Sequence, residues 1–138
     1  EQYASATGLI RRTEEEMEAF PRSLLHTVAR ENGAVDGRTA FQAAERGDPA
    51  AVHLCREYAE ELGCGLVNLI NLLHPERVAI GGGVAAAPES LLLQPLREIV
   101  TRESYARHGG VIPAVVRAQM GNDAGIVGAA LLDRAVRE

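Results

Sequence analysis

The residues best suited to chemistry in this chain are two glycine clusters. Gly81-Gly82-Gly83 follows the apolar run Val78-Ala79-Ile80, and Gly121-Asn122-Asp123-Ala124-Gly125 follows Val111–Val116. Glycine lets the backbone approach a ligand closely and leaves N–H groups uncovered. A helix N-terminus after such a turn adds a positive dipole end that favours an anion. The spacing therefore predicts two strand, glycine-turn, helix units, Val78–Pro88 and Val111–Gly125, forming one half of a nucleotide crevice. Taken singly, each cluster also fits a plain strand-to-helix turn, and Asn122 or Asp123 a simple N-cap. Neither cluster has the Lys and Ser/Thr of a P-loop. His26, His53, His74 and His108 are scattered, with no Cys/His spacing that fits zinc. No Ser–His–Asp arrangement can be assembled from position. The residues offer a binding site, with no catalytic residue and no metal ligand assigned.

Elements must hold those clusters in place. Asp48-Pro49 is a strong helix start, an N-cap followed by proline in the first turn. The helix then runs to about Leu73, with Val52, Cys55, Tyr58, Ala59 and Leu62 on one face. Beyond Gly63-Cys64-Gly65 it is apolar nearly all round, so Leu66–Leu73 should be buried. Gly63 and Gly65 would let another backbone come close, and Asn68 and Asn71 would each need partners. His74-Pro75 ends the helix. Arg77–Ile80 reads as a strand, Pro88-Glu89-Ser90 opens a helix through Val100, Val111–Val116 is a second strand near a sheet edge at Pro113, and a last helix carries Ile126, Val127, Ala130 and Leu131. A helix joining two strands makes them parallel neighbours. Both glycine clusters then lie on the carboxyl edge, where open α/β sheets bind ligands.

Residues 1–47 read as short helices. Thr13 and Glu16 have capping-box spacing, Pro21 or Ser23 restarts the chain as a helix, and Asn32-Gly33 closes it. Thr39–Arg46 is another short helix, closed by Gly47. The acidic run Glu14–Glu18 reads as a solvated face.

The 138 residues suit one domain, and the 46% hydrophobic fraction supports a core of Leu, Val, Ile and Ala, since aromatics are only 4%. The net charge of -5 excludes a nonspecific nucleic-acid binder with a basic face. All basic residues are Arg. Cys55 and Cys64 lie nine residues apart on one helix, roughly 13 Å along its axis and on opposite faces. A disulfide is excluded, and two free buried thiols suit a reducing cytoplasm. No apolar run approaches a membrane span. The start at Glu1-Gln2-Tyr3, without Met, gives the expectation of a piece of something longer.

Several segments resemble ROK-family sugar kinases such as bacterial glucokinases. Glu1-Gln2-Tyr3-Ala4-Ser5-Ala6-Thr7-Gly8-Leu9 is similar to the stretch that follows the family's zinc motif, and Ala43-Ala44-Glu45-Arg46-Gly47-Asp48-Pro49-Ala50-Ala51 to the stretch before its long helix. Leu66–Glu76 with Val78-Ala79-Ile80-Gly81-Gly82-Gly83-Val84 resembles the family's helix, strand and adenosine loop. Gly121–Ala130 resembles its last strand-to-helix junction.

The resemblance implies a helix-rich α/β fold, the C-terminal half of an actin-like (RNase H-type) ATPase. Residues 1–47 would be the helical segment after the zinc motif, and residues 48–138 the α-β-α-β-α part of the lobe. It implies that Gly81, Gly82 and Gly83 contact the adenosine side of ATP and that Glu1 hydrogen-bonds sugar hydroxyls, a task suited to a carboxylate. Gly121–Gly125 becomes a capping junction beside them.

The phosphate-binding loop, catalytic Asp, sugar motif and zinc cysteines would lie upstream. ATP with Mg and a structural zinc would thus belong to a longer parent, and the isolated chain would be inactive. Homo-oligomerisation and a cytoplasmic location are also implied. The competing expectations are the effector-binding half of a ROK transcriptional repressor, the one case with nucleic acid as partner, and a ligand-free dimerisation module.

Overall fold

The computed structural model describes residues 3–135. The order is α1 (Ala6–Ala19), α2 (Leu25–Asn32), α3 (Thr39–Glu45), α4 (Pro49–Leu73), β1 (Arg77–Ile80), α5 (Leu93–Glu103), β2 (Ala114–Arg117) and α6 (Ala124–Ala135), with 3-10 turns at Gly83–Ala86, Tyr105–His108 and Gly121–Asp123. Helix α4 is the scaffold, and α1, α3 and α5 pack against it. The core runs from Leu9, Leu25, Val28 and Phe41 through Leu54 and Tyr58 to Ile70, Leu92, Leu96, Val100 and Val115. Among the described residues, no helix is long and apolar enough to cross a membrane.

Asp48 starts α4 as expected, and it does more. Its Oδ1 accepts the Ala51 N–H at 2.9 Å, while Oδ2 accepts the Leu24 N–H at 2.7 Å and the Ser23 hydroxyl at 3.0 Å. One carboxylate, only 5% exposed, therefore caps α4 and fixes the entry to α2. Burial pushes its pKa up, but hydrogen bonds from Ala51, Leu24, Ser23 and Ala50 outweigh that and hold it below the ordinary aspartate value.

Ser5, not Thr13, caps α1: its Oγ accepts the Gly8 N–H at 3.0 Å. Thr13 falls inside the helix because α1 begins a full two turns earlier than its capping-box spacing suggests. There the buried Thr13 hydroxyl donates back to the Leu9 carbonyl at 2.7 Å. Helix α3 is started by reciprocal bonds, Thr39 N–H to Asp36 Oδ1 at 3.1 Å and Asp36 N–H to Thr39 Oγ1 at 3.0 Å. The expected closures hold: Gly33 and Gly47 have φ of 80° and 84°, and His74 ends α4 at φ 47°.

The two halves of α4 depart from the pattern-based expectation. In the first, Cys55, Tyr58 and Ala59 are buried with Leu54, but Val52 is exposed. In the second, Leu66, Val67 and Ile70 are buried, while Leu69, Leu72 and Leu73 are 55%, 75% and 67% exposed. The reason is geometric. Leu66, Val67 and Ile70 belong to the core that α5 completes, no described element covers Leu69 and Leu72, and Leu73, on the same stripe as Leu66, lies in the last turn beyond that contact. Cys64 and Asn68 are exposed in a cleft beside α5, so only Cys55 is a buried thiol. Asn71 Oδ1 accepts the Tyr105 N–H at 2.9 Å. Gly63 does permit a close approach, since a Cβ there would lie 2.8 Å from both Cγ2 and Cδ1 of Ile99, but Gly65 faces open space.

The strands pair in parallel, with Arg77 opposite Ala114 and Ile80 opposite Arg117. Val111 and Ile112 lie outside β2. Pro113 has no N–H, so the ladder starts one residue later, where the Ala114 N–H reaches the Glu76 carbonyl at 3.1 Å. Helix α5 begins at Leu93 rather than at Pro88, because residues 88–92 form turns closed by the Leu91 and Leu92 N–H groups on the Pro88 carbonyl.

Three outcomes follow from this packing. Asp48→Ala should cost roughly 2–3 kcal/mol, since two helix starts lose their acceptor. Because the folded pKa of Asp48 is lowered, its contribution is present above the unfolded pKa and lost as pH falls through the folded one. Chemical melts of wild type and D48A should therefore converge in acid. Gly65→Ala should gain up to about 1 kcal/mol of helix propensity. Gly63→Ala should lose about 1–2 kcal/mol by overpacking against Ile99, and the pair can be compared by thermal melts. The exposed Leu69, Leu72 and Leu73 should drive concentration-dependent association of the 138-residue chain. Sedimentation should show it, and Leu72→Glu should weaken it.

Candidate functional site

The parallel register brings together the carboxyl ends of the two strands that lead into the glycine clusters. β1 ends at Ile80, whose carbonyl accepts the Ala118 N–H at 2.8 Å. A Cβ on Gly81 would lie 3.5 Å from the Ala118 Cβ, so the two chains leave the sheet in contact. The first loop then turns at Gly82, with φ 75° and ψ -173°, a conformation L side chains rarely adopt. The Ala85 N–H closes it onto the Gly82 carbonyl at 3.1 Å.

Gly83 is different. Its φ is not in the left-handed range, and a Cβ there would meet nothing within 4 Å. Neither conformation nor internal packing demands glycine at that position. What its absence of a side chain provides is open backbone at the mouth of a cleft.

That cleft has a volume of about 440 Å³. Gly83, Ala86, Ala87 and Glu89 form one wall, and Arg38, Phe41 and Gln42 of the α3 region the other, with Arg117 between them. Arg117 Nη2 donates to the Ala87 carbonyl at 2.8 Å and holds the loop against β2. Arg97 Nε donates to the Val115 carbonyl at 2.9 Å, and its Nη1 pairs with Glu89. The hydrogen bond and charge of Arg97 keep the Glu89 carboxyl below its ordinary pKa. Arg38 is engaged by Asp36, with Nε and Nη2 at 2.9 and 2.7 Å from Oδ2.

The α3 wall has no counterpart in the sequence reading. Phe41 and Gly83 are 42 positions apart, and the helix Thr39–Arg46 that carries Phe41 has no role in the site read from sequence. The dipole expectation also changes. After Gly81–Gly83 comes only a 3-10 turn, and the next α-helix in the chain starts at Leu93, so no α-helix starts directly from that loop. The second cluster does lead directly into α6, with Gly121 at φ 51° opening the turn.

The other residues singled out are dispersed. Glu1 lies outside the described residues. His26 Nε2 is 3.0 Å from the Met17 carbonyl, His53 is 3.3 Å from Glu57, His74 is the α4 terminus and His108 accepts from Arg107 at 3.0 Å. Among the described residues, no group of three or more His, Cys, Asp and Glu could hold a metal ion. The open glycine backbone fits a flat or anionic ligand.

A parallel strand pair with a glycine loop at its carboxyl edge and helices on its flank defines a helix-rich portion of an actin-like ATPase fold. The sequence model of the ROK family matches residues 1–136, and the chain belongs to that family. It is 35% identical over 137 residues to a glucokinase of Streptomyces coelicolor, covering 97% of this chain and 43% of the relative. The crystal structure of a ROK family glucokinase from Streptomyces griseus, in complex with glucose and AMPPNP, superposes with a TM-score of 0.77 at 37% identity, over 96% of this chain and 43% of that one. A ROK family transcriptional regulator, a homologue of the E. coli MLC protein, also gives 0.77, at 26% identity, over 97% of this chain and 32% of its own. The chain thus spans about 43% of the length of the glucokinases it matches.

Proposed function

We propose that this chain forms the C-terminal, adenosine-side part of an ATP-dependent sugar kinase acting on glucose or a related hexose. In this reading Gly81, Gly82 and Gly83 meet the nucleotide, and Glu1 accepts hydrogen bonds from the sugar. The observation that carries it is Gly83: a glycine the fold itself does not need, at the mouth of a cleft beside the paired loops. The likeness to a glucokinase crystallised with glucose and AMPPNP supports the same reading. A nucleotide bound there would have its N–H donors from the loop backbone and apolar contact from Phe41 and Ala86. Phosphoryl transfer, its catalytic Asp and its Mg belong to residues outside this chain, as does the structural zinc. The protein acts in the cytoplasm as a homo-oligomer.

A second reading has an observation of its own. The regulator superposes as well as the glucokinase does, so the same half would serve a sugar-responsive repressor. Nucleotide binding separates the two.

Titrating ADP into the 138-residue chain should release heat. Gly83→Val should abolish it without lowering the melting temperature, because the added side chain enters open space. ADP binding that survives Gly83→Val would overturn the assignment of the site to Gly83, and no binding in the wild type would overturn the adenosine reading and favour the repressor. The isolated chain should show no phosphorylation of glucose by ATP, and measured turnover would refute the division of labour.

A further inference from the structure

Behind the α3 wall of the cleft runs a chain of hydrogen bonds whose direction is fixed from one end. Asp36 is held as a carboxylate: burial pushes its pKa up, but hydrogen bonds from Arg38 and Thr39 outweigh that and leave it below the ordinary aspartate value. A carboxylate can only accept. The Asn32 side chain meets Asp36 Oδ1 at 3.4 Å and so turns its amide nitrogen that way, and the same nitrogen donates to Gln42 Oε1 at 2.9 Å. Gln42 therefore spends its oxygen on Asn32. Gln42 lines the cleft and Asn32 does not, so the polar group Gln42 has left for the cleft is its amide nitrogen, with two N–H donors. The carboxylate that starts α3 thus also sets, through Asn32, what the wall of the cleft offers a ligand.

We infer that Gln42 is a specificity-determining residue that donates to a ring nitrogen of the bound purine. The inference rests on the reading of the cleft as the adenosine site. Features of the wall favour a flat, neutral acceptor over a phosphate. Phe41 precedes Gln42, and Ala86, Ala87 and Pro88 line the same cleft, giving apolar surface for the face of a ring. Glu45, one helical turn beyond Gln42, lines the cleft as well, and Asp36 lies behind it through Asn32. Negative charge on either side of the amide repels a phosphate and leaves a neutral ring nitrogen unaffected. Arg38, on the same wall, is answered by Asp36 at 2.7 Å.

Gln42→Glu isolates the donor, because it keeps an oxygen for Asn32 and replaces only the amide nitrogen. Titrated into the 138-residue chain, adenosine and ADP should both bind about 10-fold more weakly to Gln42→Glu than to wild type, since an acceptor then faces an acceptor. The melting temperature should not change. In wild type, one of 1-deaza-, 3-deaza- and 7-deazaadenosine should bind about 10-fold more weakly than adenosine, because a C–H replaces the nitrogen that Gln42 meets. In Gln42→Glu that penalty should vanish. The wild-type series decides the matter even where the variant melts at a lower temperature.

The outcomes separate this inference from the reading beneath it. If ADP binds and Gly83→Val abolishes it, but Gln42→Glu leaves adenosine binding intact or all three deaza analogues bind like adenosine, the role of Gln42 is refuted and the adenosine site stands. Weakening of ADP without weakening of adenosine would be an effect of charge on the phosphates and would also refute it. If wild type binds neither ADP nor adenosine, both fall.

Discussion

The carboxylate of Asp48 sits where two helices begin, and the rest of the chain is arranged from there. By accepting N–H groups from both Ala51 and Leu24, it sets the start of α4 and the approach of α2 together. A helix of 25 residues extends about 37 Å, so a small change of direction at its first turn becomes a large displacement at its last. β1 follows that last turn after only His74, Pro75 and Glu76. The position of the glycine loop is thus a consequence of how α4 is launched. The carboxylate can do this only in its charged state, which is why burial alone would be harmful and four donors are needed to outweigh it.

Along its length α4 is held by different forces. Near its middle, Arg12 of α1 bridges Glu57 and Glu61 with most of its own surface covered, while Tyr58 binds the chain just ahead of α1. Further on, Gly63 leaves room for Ile99, and α5 comes in close enough to cover Leu66, Val67 and Ile70. Beyond that contact the same helix leaves Leu69, Leu72 and Leu73 uncovered by any described element. The scaffold is therefore well ordered by packing on one side and strongly apolar on the other.

This asymmetry matches the site. The cleft beside Gly83 has walls from the loop, α3 and β2, all fixed by neighbours. Its arginines hold their neighbours in place, Arg117 the Ala87 carbonyl and Arg38 the Asp36 carboxylate, and Arg97 outside the cleft anchors its Glu89 and the Val115 carbonyl. These bonds shape the cleft, whose walls also carry open backbone and the apolar Ala86, Ala87, Pro88 and Phe41. Such a surface suits the uncharged end of a nucleotide, the division of labour proposed for a chain that spans about 43% of its glucokinase relatives.

Local chemistry alone determined the elements with strong punctuation. Asp48-Pro49, Gly33, Gly47 and His74-Pro75 mark their boundaries through backbone rules that need no partner, and the parallel pairing of β1 and β2 follows from the helix between them. The family was legible because four segments, at residues 1–9, 43–51, 66–84 and 121–130, resemble it in order. What the tertiary structure decided is which competing signal wins. Thr13 looked like a cap until Ser5 started the helix two turns earlier, and the apolar residues after Gly65 looked buried all round until α5 covered one face. The cleft wall at Phe41 and the reach of Tyr58 to Ala4 join residues 42 and 54 positions apart. No local rule encodes such a meeting, because it depends on where α4 carries each partner in space.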